Sequence, residues 1–304
     1  MKAAVFGTIS FDMIFDLSAL PSRGQKSVYA NTFKEFHGGG AANVCAYLSG
    51  TMGIKSGLIS AVGDDTVGDK LIDGIRKYNV DTMGIARYHD CSSTRIVTLK
   101  DNHGGSQHIV SHGAIDSLHA GDIDTGLLDS CCLIYIAPNK RDDIAGYLIN
   151  YGTAKHKQIA FNPGPAYLAN QEKLDKAVQF FQKVDYVIVN RFEASAYSGA
   201  KDLDSAIDTL LSYGIKCLVV TCEDSGAYLS TNDTRIHAAG IPISAGDTNG
   251  AGDAFSAGFI GLRLLGYDYH HSLQFANALG AYKAQHFGLR EVVPSIKEVW
   301  DLAE

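Results

Sequence analysis

No stretch of this chain approaches the ~20 consecutive apolar residues that a helix needs to cross a bilayer. Cationic side chains are in deficit, with 26 Lys and Arg against 33 Asp and Glu and a net charge of −7. Such a balance lays no positive field over the molecule, and neither nucleic acid nor a membrane surface is expected as a partner. The opening MKAAVFGTISFD reaches an acid at Asp12 without the apolar core and cleavage site of a secretory leader, so a cytoplasmic protein is expected. The six cysteines include no C-x-x-C pair, and Cys217 and Cys222 fall on opposite faces of one expected strand. They read as buried thiols in a reducing compartment, not as zinc ligands. Tandem repeats and low-complexity tracts are missing. So is G-x-x-x-x-G-K-[ST], which excludes a P-loop enzyme, and the run Gly38–Asn43 lacks the last glycine of a dinucleotide fingerprint.

What is present is the composition of a globular enzyme: 304 residues, 46% hydrophobic and 19% charged. Strand-like runs at Ala3–Phe6, Lys55–Val62, Cys132–Ala137, Gln158–Asn162, Tyr186–Asn190 and Lys216–Cys222 alternate with helical patterns. The helices include Ala42–Thr51, Thr66–Tyr78, Lys173–Lys183 and Ser205–Tyr213, and the C-terminal third adds Gly252–Leu265, Tyr269–His286 and Ser295–Leu302. This order predicts a doubly wound, mostly parallel α/β sheet with ligands at the carboxyl ends of its strands. Two segments break the alternation: Ser27–Phe36 reads as extended, and Thr94–His112 as a hairpin around DNHGG. They form either a small β lobe over a site or a simple edge hairpin.

The most glycine-dense segment, GDTNGAGDAF at 246–255, leads into the apolar helix SAGFIGLRLLG. Small residues let backbone approach a ligand, and the free amides at a helix start carry the positive end of its dipole, which makes an anion cradle. Asp253 lies in that first turn. A carboxylate beside a phosphate site suits phosphoryl transfer, which needs positioning, charge neutralisation and an acceptor for the hydroxyl proton. The residues alone also allow an ordinary glycine loop with Asp253 as a helix-terminal acid.

DTNGAGDAF resembles the DTxGAGD signature of the PfkB or ribokinase family of carbohydrate and nucleoside kinases. His37–Asn43, reading HGGGAAN, resembles that family's N-terminal GGxxAN element, and VGDDTVGDKL at 62–71 resembles what usually follows it. The resemblance spans nearly the whole chain. It implies one ribokinase-like domain over 1–304, an αβα sandwich with a small β lid formed by about 13–37 and 88–112. It further implies that Asp253 is the base and that the amides of Gly250, Ala251, Gly252 and Asp253 hold the charge on the transferred group. Asp12, Asn43, Gly38 and Gly39 are then expected to bind acceptor hydroxyls, with Asn162 near the reacting groups. Asn190 and Glu193, in NRFE, match the N-x-x-E motif that organises Mg2+ and its waters near the phosphates of ATP. The nucleotide pocket maps to Thr221, the loop Glu223–Gly226 and Asn277, with Glu223 standing where a glycine is usual. Asp247 and Asn249 match positions that surround a monovalent cation, K+, in some members, with Asn249 in place of the more frequent threonine. Lids of this kind often pair across a homodimer.

For the acceptor, the expectation is a nucleoside phosphorylated on its 5′ hydroxyl. GGGAAN lacks the lysine that ribokinases tend to carry at the position of Gly40, and FNPGP and NRFEA look like stretches of archaeal nucleoside kinases. Tyr29, Phe33, Phe36 and His108 are the aromatic candidates to wall a base. A free sugar such as ribose or fructose is the alternative. Arg95 resembles the substrate-phosphate arginine of the family's phosphofructokinases, but with only Lys34 and Lys100 to help it a sugar phosphate is less expected. From another class, a catalytically silent sugar-binding protein of the same fold would need neither Asp253 nor the complete cradle.

Overall fold

The computed structural model describes residues 3–103, 105–244 and 246–304. The expected turn residue Gly104 lies outside them. The first half contains β1 (Ala3–Phe6), β2 (Ser10–Leu17), β3 (Ala30–Gly38), α1 (Gly40–Gly50), β4 (Ser56–Gly63), α2 (Thr66–Arg76), β5 (Ile85–Tyr88), β6 (Arg95–Asp101), β7 (Ser106–Ser111), α3 (Thr125–Ser130), β8 (Leu133–Ile136) and α4 (Asp142–Ala154). The second half contains β9 (Gln158–Phe161), α5 (Gln171–Phe181), β10 (Tyr186–Asn190), α6 (Arg191–Ser198), α7 (Leu203–Ser212), β11 (Leu218–Thr221), β12 (Ala227–Ser230), β13 (Arg235–Ala238), α8 (Ala251–Leu264), α9 (Tyr269–Gln285) and α10 (Ile296–Ala303). All six expected core strands and all seven expected helices are there, with ends shifted by a few residues. The strands β5, β12 and β13 were not foreseen.

The large sheet runs β13-β12-β11-β10-β9-β8-β1-β4-β5. It is parallel from β11 to β5 and ends in the antiparallel pair β12 and β13. Alternation of side chains divides it into two cores. Ala3 and Val5 pack with Leu48, Leu71, Phe259 and Leu279 on one face, and Ala4 and Phe6 with Leu148, Phe181 and Leu210 on the other. Helices on both faces leave the carboxyl edge of the sheet open. The chain order reverses around β1, which lies between β4 and β8, and this is the crevice where open α/β sheets take ligands.

The second sheet, β3-β2-β6-β7, is made of the two irregular segments. Its β2 and β6 are parallel partners, and each outer strand is antiparallel to its neighbour. Register assigns its faces. Asp12 is opposite Phe36 and Ile96, while Ile14 is opposite Lys34 and Thr98, so these residues share the face that carries Asp12. Phe15, opposite Phe33 and Leu99, lies on the reverse face with Val97 and Ile109.

In the second core Phe181, fully buried, meets Phe161 and Tyr197 at ring distances of 6.2 and 5.7 Å. Truncation there leaves a cavity that three rigid rings cannot close. Phe181→Ala should therefore cost about 3–5 kcal/mol in urea unfolding, and a loss under about 1 kcal/mol would show that this cluster repacks freely.

Candidate active site

Three loops meet at the open edge of the large sheet. Asp12 projects from β2, where the Ser10 hydroxyl, two residues back on the same face, donates to its Oδ1 at 2.5 Å. Its carboxylate lies directly against Gly38, so that a Cβ at Gly38 would collide with both oxygens. Gly39 caps α1 with φ +97, and a side chain there would strike the backbone of Thr8 and Ile9. The glycines at 38 and 39 are thus required by close approach around Asp12.

Asp253 is partly buried in the first turn of α8. Asn43 of α1 donates from Nδ2 to Asp253 Oδ2 at 2.8 Å, and Arg290 Nη1 donates to Asn43 Oδ1 at 2.8 Å and to the Gly38 carbonyl at 3.0 Å. The guanidinium fixes which end of the Asn43 amide faces the carboxylate. Asn43, expected to bind acceptor hydroxyls, has instead both ends of its amide engaged within the protein. Gly40 closes the other side, its Cβ position 3.1 Å from Asp253 Oδ1. Burial raises the pKa of Asp253 above the usual carboxylate range, opposed by the Asn43 hydrogen bond and by the charges of Arg290 and Lys283. Burial likewise lifts Asp12 to about 6, against the Ser10 hydrogen bond and Arg290. Two acids with elevated pKa values beside one buried arginine have the electrostatics of a reaction site.

At the start of α8, Gly250 adopts φ +80 and caps the helix. Of the four cradle amides, Ala251 N–H donates to Thr248 O at 3.2 Å, while Gly250, Gly252 and Asp253 find no internal acceptor among the described residues. The free donors and the Asp253 carboxylate therefore sit on one turn. Asn162 ends β9 with its Oδ1 accepting from Gly164 N, on the same edge of the sheet.

Asn190 and Thr221 are register partners at the ends of β10 and β11. Asn190 and Glu193 form a reciprocal capping box at the start of α6: Glu193 N donates to Asn190 Oδ1 at 2.8 Å, and Asn190 N to Glu193 Oε2 at 3.0 Å. Glu193 is 7% exposed, and burial raises its pKa. Glu223 has φ +50, which explains why a glycine is usual at that position. Gly226 folds the loop back, and Asn277 donates to the carbonyls of Ala238 and Ala239 at 2.9 and 3.1 Å. Thr221, the 223–226 loop and Asn277 are thereby gathered at one end of β11–β13. Among the described residues no three His, Cys, Asp or Glu side chains gather into a metal cluster. A divalent ion near Glu193 would complete its shell with phosphate and water, the habit of magnesium, and the buried carboxylate fits that.

Potassium does not fit at Asp247. The ammonium of Lys283 donates to the Asp247 carbonyl at 2.8 Å, and the Asp247 carboxylate is occupied by the amides of Asn249 and Gly288 at 3.3 Å and faces Lys100 Nζ at 3.8 Å. The residues that sequence reasoning missed are Ser10, Lys283 and Arg290. Ser10 was readable from the two-residue period of β2. Lys283 was readable as one charge on an otherwise apolar helical stripe. Arg290 sits in a loop, where no period exists to mark it.

The chain matches the pfkB family carbohydrate kinase description over residues 1–296. It belongs to that family. It is accordingly a phosphotransferase, and the expected ribokinase-like fold is present. Among curated relatives, the deoxyribokinase of Salmonella typhi is 26% identical over 98% of this chain and 97% of its own. Among solved structures, a putative ribokinase II from E. coli in complex with ATP and Mg2+ has a TM-score of 0.86 at 23% identity, over 99% of this chain and 98% of that one. The Methanocaldococcus jannaschii nucleoside kinase gives a TM-score of 0.83 at 18% identity, over 100% and 98%. In this pfkB chain Arg290 acts on both acids, which gives a test. The acid limb of kcat/KM should fall as pH drops through about 6. Arg290→Met removes a nearby positive charge, so both carboxylates hold their protons to higher pH and the limb should move upward, with kcat reduced at least about tenfold. A limb that stays in place would reduce Arg290 to packing.

Proposed function

We propose that this chain transfers the γ-phosphoryl group of ATP, as its Mg2+ complex, to the primary hydroxyl of a free pentose of the ribose type. The supporting observation is the partly buried Asp253, held by Asn43 and lying on the same helical turn as the free cradle amides. The acceptor oxygen attacks the γ-phosphorus, its proton passes to Asp253, and the bond to the β-phosphate oxygen breaks to release ADP. The Gly250, Gly252 and Asp253 amides take up charge on the transferred group. Asp12, ionised above about pH 6, accepts hydrogen bonds from the sugar hydroxyls. Mg2+ supplies charge neutralisation on the phosphates, and Glu193 with Asn190 is the pair that would organise its waters. Thr221, Glu223, Gly226 and Asn277 frame the nucleotide end.

The free sugar is favoured over the nucleoside because the aromatic wall disperses. Phe33 is on the reverse face of the small sheet against Phe15 at 4.8 Å, and Tyr29 is 87% exposed outside the strands. Phe36 packs on Phe287 at 5.4 Å, and His108 bonds Thr98 through Nδ1 at 3.0 Å. A sugar phosphate loses its anchor too, since Arg95 donates to Asp65 at 3.2 Å and to Ser93 O. The names of the curated relatives, deoxyribokinase and ribokinase, support the same reading. A nucleoside 5′ hydroxyl is the second reading. It is favoured by an apolar cavity of about 710 Å3 at the ends of β8 and β9, walled by His112, Pro138, Pro165, Ala166 and Tyr167, where a base would lie.

The small sheet is the proposed lid, roughly 13–37 with 88–112, on a single kinase domain. Its reverse face shows Phe15, Phe33, Val97 and Ile109, with Ile109 61% exposed, and is the surface on which two copies would pair. Sedimentation of a Phe33→Asp, Ile109→Asp double variant should give a monomer where the wild type gives a dimer.

The chemistry is checked by Asp253→Asn, for which kcat should fall at least ~10²-fold at unchanged Tm. A tenth of wild-type turnover would remove Asp253 from its role. Asp12→Ala should raise acceptor KM steeply and leave ATP KM nearly fixed, and EDTA should abolish turnover. In one ATP assay of ribose, deoxyribose, fructose, fructose 6-phosphate, adenosine, inosine and cytidine, a pentose should give the highest kcat/KM. A nucleoside ahead of every sugar would transfer the assignment to the second reading, and no ADP with any of them would favour a silent binder.

A further inference from the structure

Lys283 is 2% exposed, on a face of α9 whose other inward residues are Leu273, Ala276, Leu279, Gly280 and Ala284. A buried ammonium costs several kcal/mol unless its protons find acceptors. Here two are found, both main-chain carbonyls: Asp247 O at 2.8 Å and His286 O at 3.0 Å. These belong to the two loops that frame the cradle. The loops are tied to each other by Gly246 N and Asp247 N donating to Ala284 O at 2.8 and 3.0 Å, and by Gly288 N donating to Asp247 Oδ2. The side chain then runs beneath the cap of α8, with Cε 3.6 Å from where a Cβ of Gly250 would stand. Two carbonyl dipoles pointing at one spot repel each other, and the Lys283 ammonium relieves that repulsion by donating to both.

We propose that Lys283 Nζ is a resident monovalent cation, which occupies the position a bound potassium would take between the 246–250 and 284–290 loops and makes the cradle independent of added alkali ions. The proposal rests on the reading of Gly250–Asp253 as the phosphoryl cradle. Burial lowers the pKa of Lys283, and Asp247, Glu291 and Asp253 oppose that shift while Lys100 adds to it. Three carboxylates nearby favour the charged form. The ordering of the loop is carried by a covalently attached charge, which cannot be diluted away.

Turnover of the wild type in potassium chloride and in choline chloride of equal ionic strength should agree within about twofold. Lys283→Ala removes the ammonium and leaves room for an ion. In choline chloride its kcat should drop at least about tenfold, and potassium or rubidium should restore most of the loss. Its Tm should rise on addition of potassium, as for any ligand bound by the folded state alone, and not on addition of choline. Lys283→Met fills the same space with a neutral chain and should be slow in both salts. The Tm comparison reads loop ordering without phosphoryl transfer, so a wrong acceptor, or no kinase activity at all, leaves it intact. Wild-type activation by potassium of more than about fivefold, or a potassium-specific rise in wild-type Tm, would overturn the proposal. So would a Lys283→Ala variant indifferent to potassium in both readouts, or one that folds in neither salt, since a site vacated by its ammonium should accept the ion. A variant that unfolds in choline and refolds in potassium would support it.

Discussion

One hydrogen bond joins the two halves of the chemistry: Asn43 to Asp253, 2.8 Å long across 210 residues of sequence. It is set by Arg290, whose Nη1 holds the Asn43 oxygen and so leaves only the amide hydrogens for the carboxylate. The same guanidinium bonds the Gly38 carbonyl beneath Asp12. Burial is the largest cause lifting both acids, and this one cation opposes it at each of them. Around that arrangement the glycines at 38 and 39 become geometric necessities, and a side chain at 40 would press on Asp253.

The fold was legible because its signals are local. Apolar strand runs between Ala3 and Thr221, most of them followed by a helix, specify a parallel sheet by themselves. The cradle was legible for the same reason, since Gly250, Gly252 and Asp253 are consecutive in chain and in space. What escaped was whatever depends on partners far away in sequence. Nothing about Asn43 shows that it is bound at both ends by residues more than 200 positions later. Phe33 and Phe36 looked equivalent as wall candidates, yet an odd separation on one strand puts them on opposite faces. Arg95 resembled an anion ligand until β6 set it beside the Asp65 that caps α2.

The small sheet is physically coupled to the cradle loops. Lys34 lies over the ring of Phe287 at 3.9 Å, Phe36 packs on the same ring, and Lys100 faces Asp247. Tyr47 and Tyr78 tie the same loop from below, through the carbonyls of Leu289 and Arg290. The 286–291 segment is therefore held between the small sheet and α1 with the end of α2. Any displacement of the lobe is transmitted to the loop that carries Arg290.

Arg290 lies 252 residues after Gly38 and 247 after Asn43, so the site is assembled from distant parts of the chain, and loop closure of that span is expected late in folding. During synthesis the segment from Asn190 to Asn277 leaves the ribosome before Arg290, the residue that fixes the Asn43 amide. A growing chain can therefore hold a nearly finished sheet while nothing yet orients Asn43 toward Asp253.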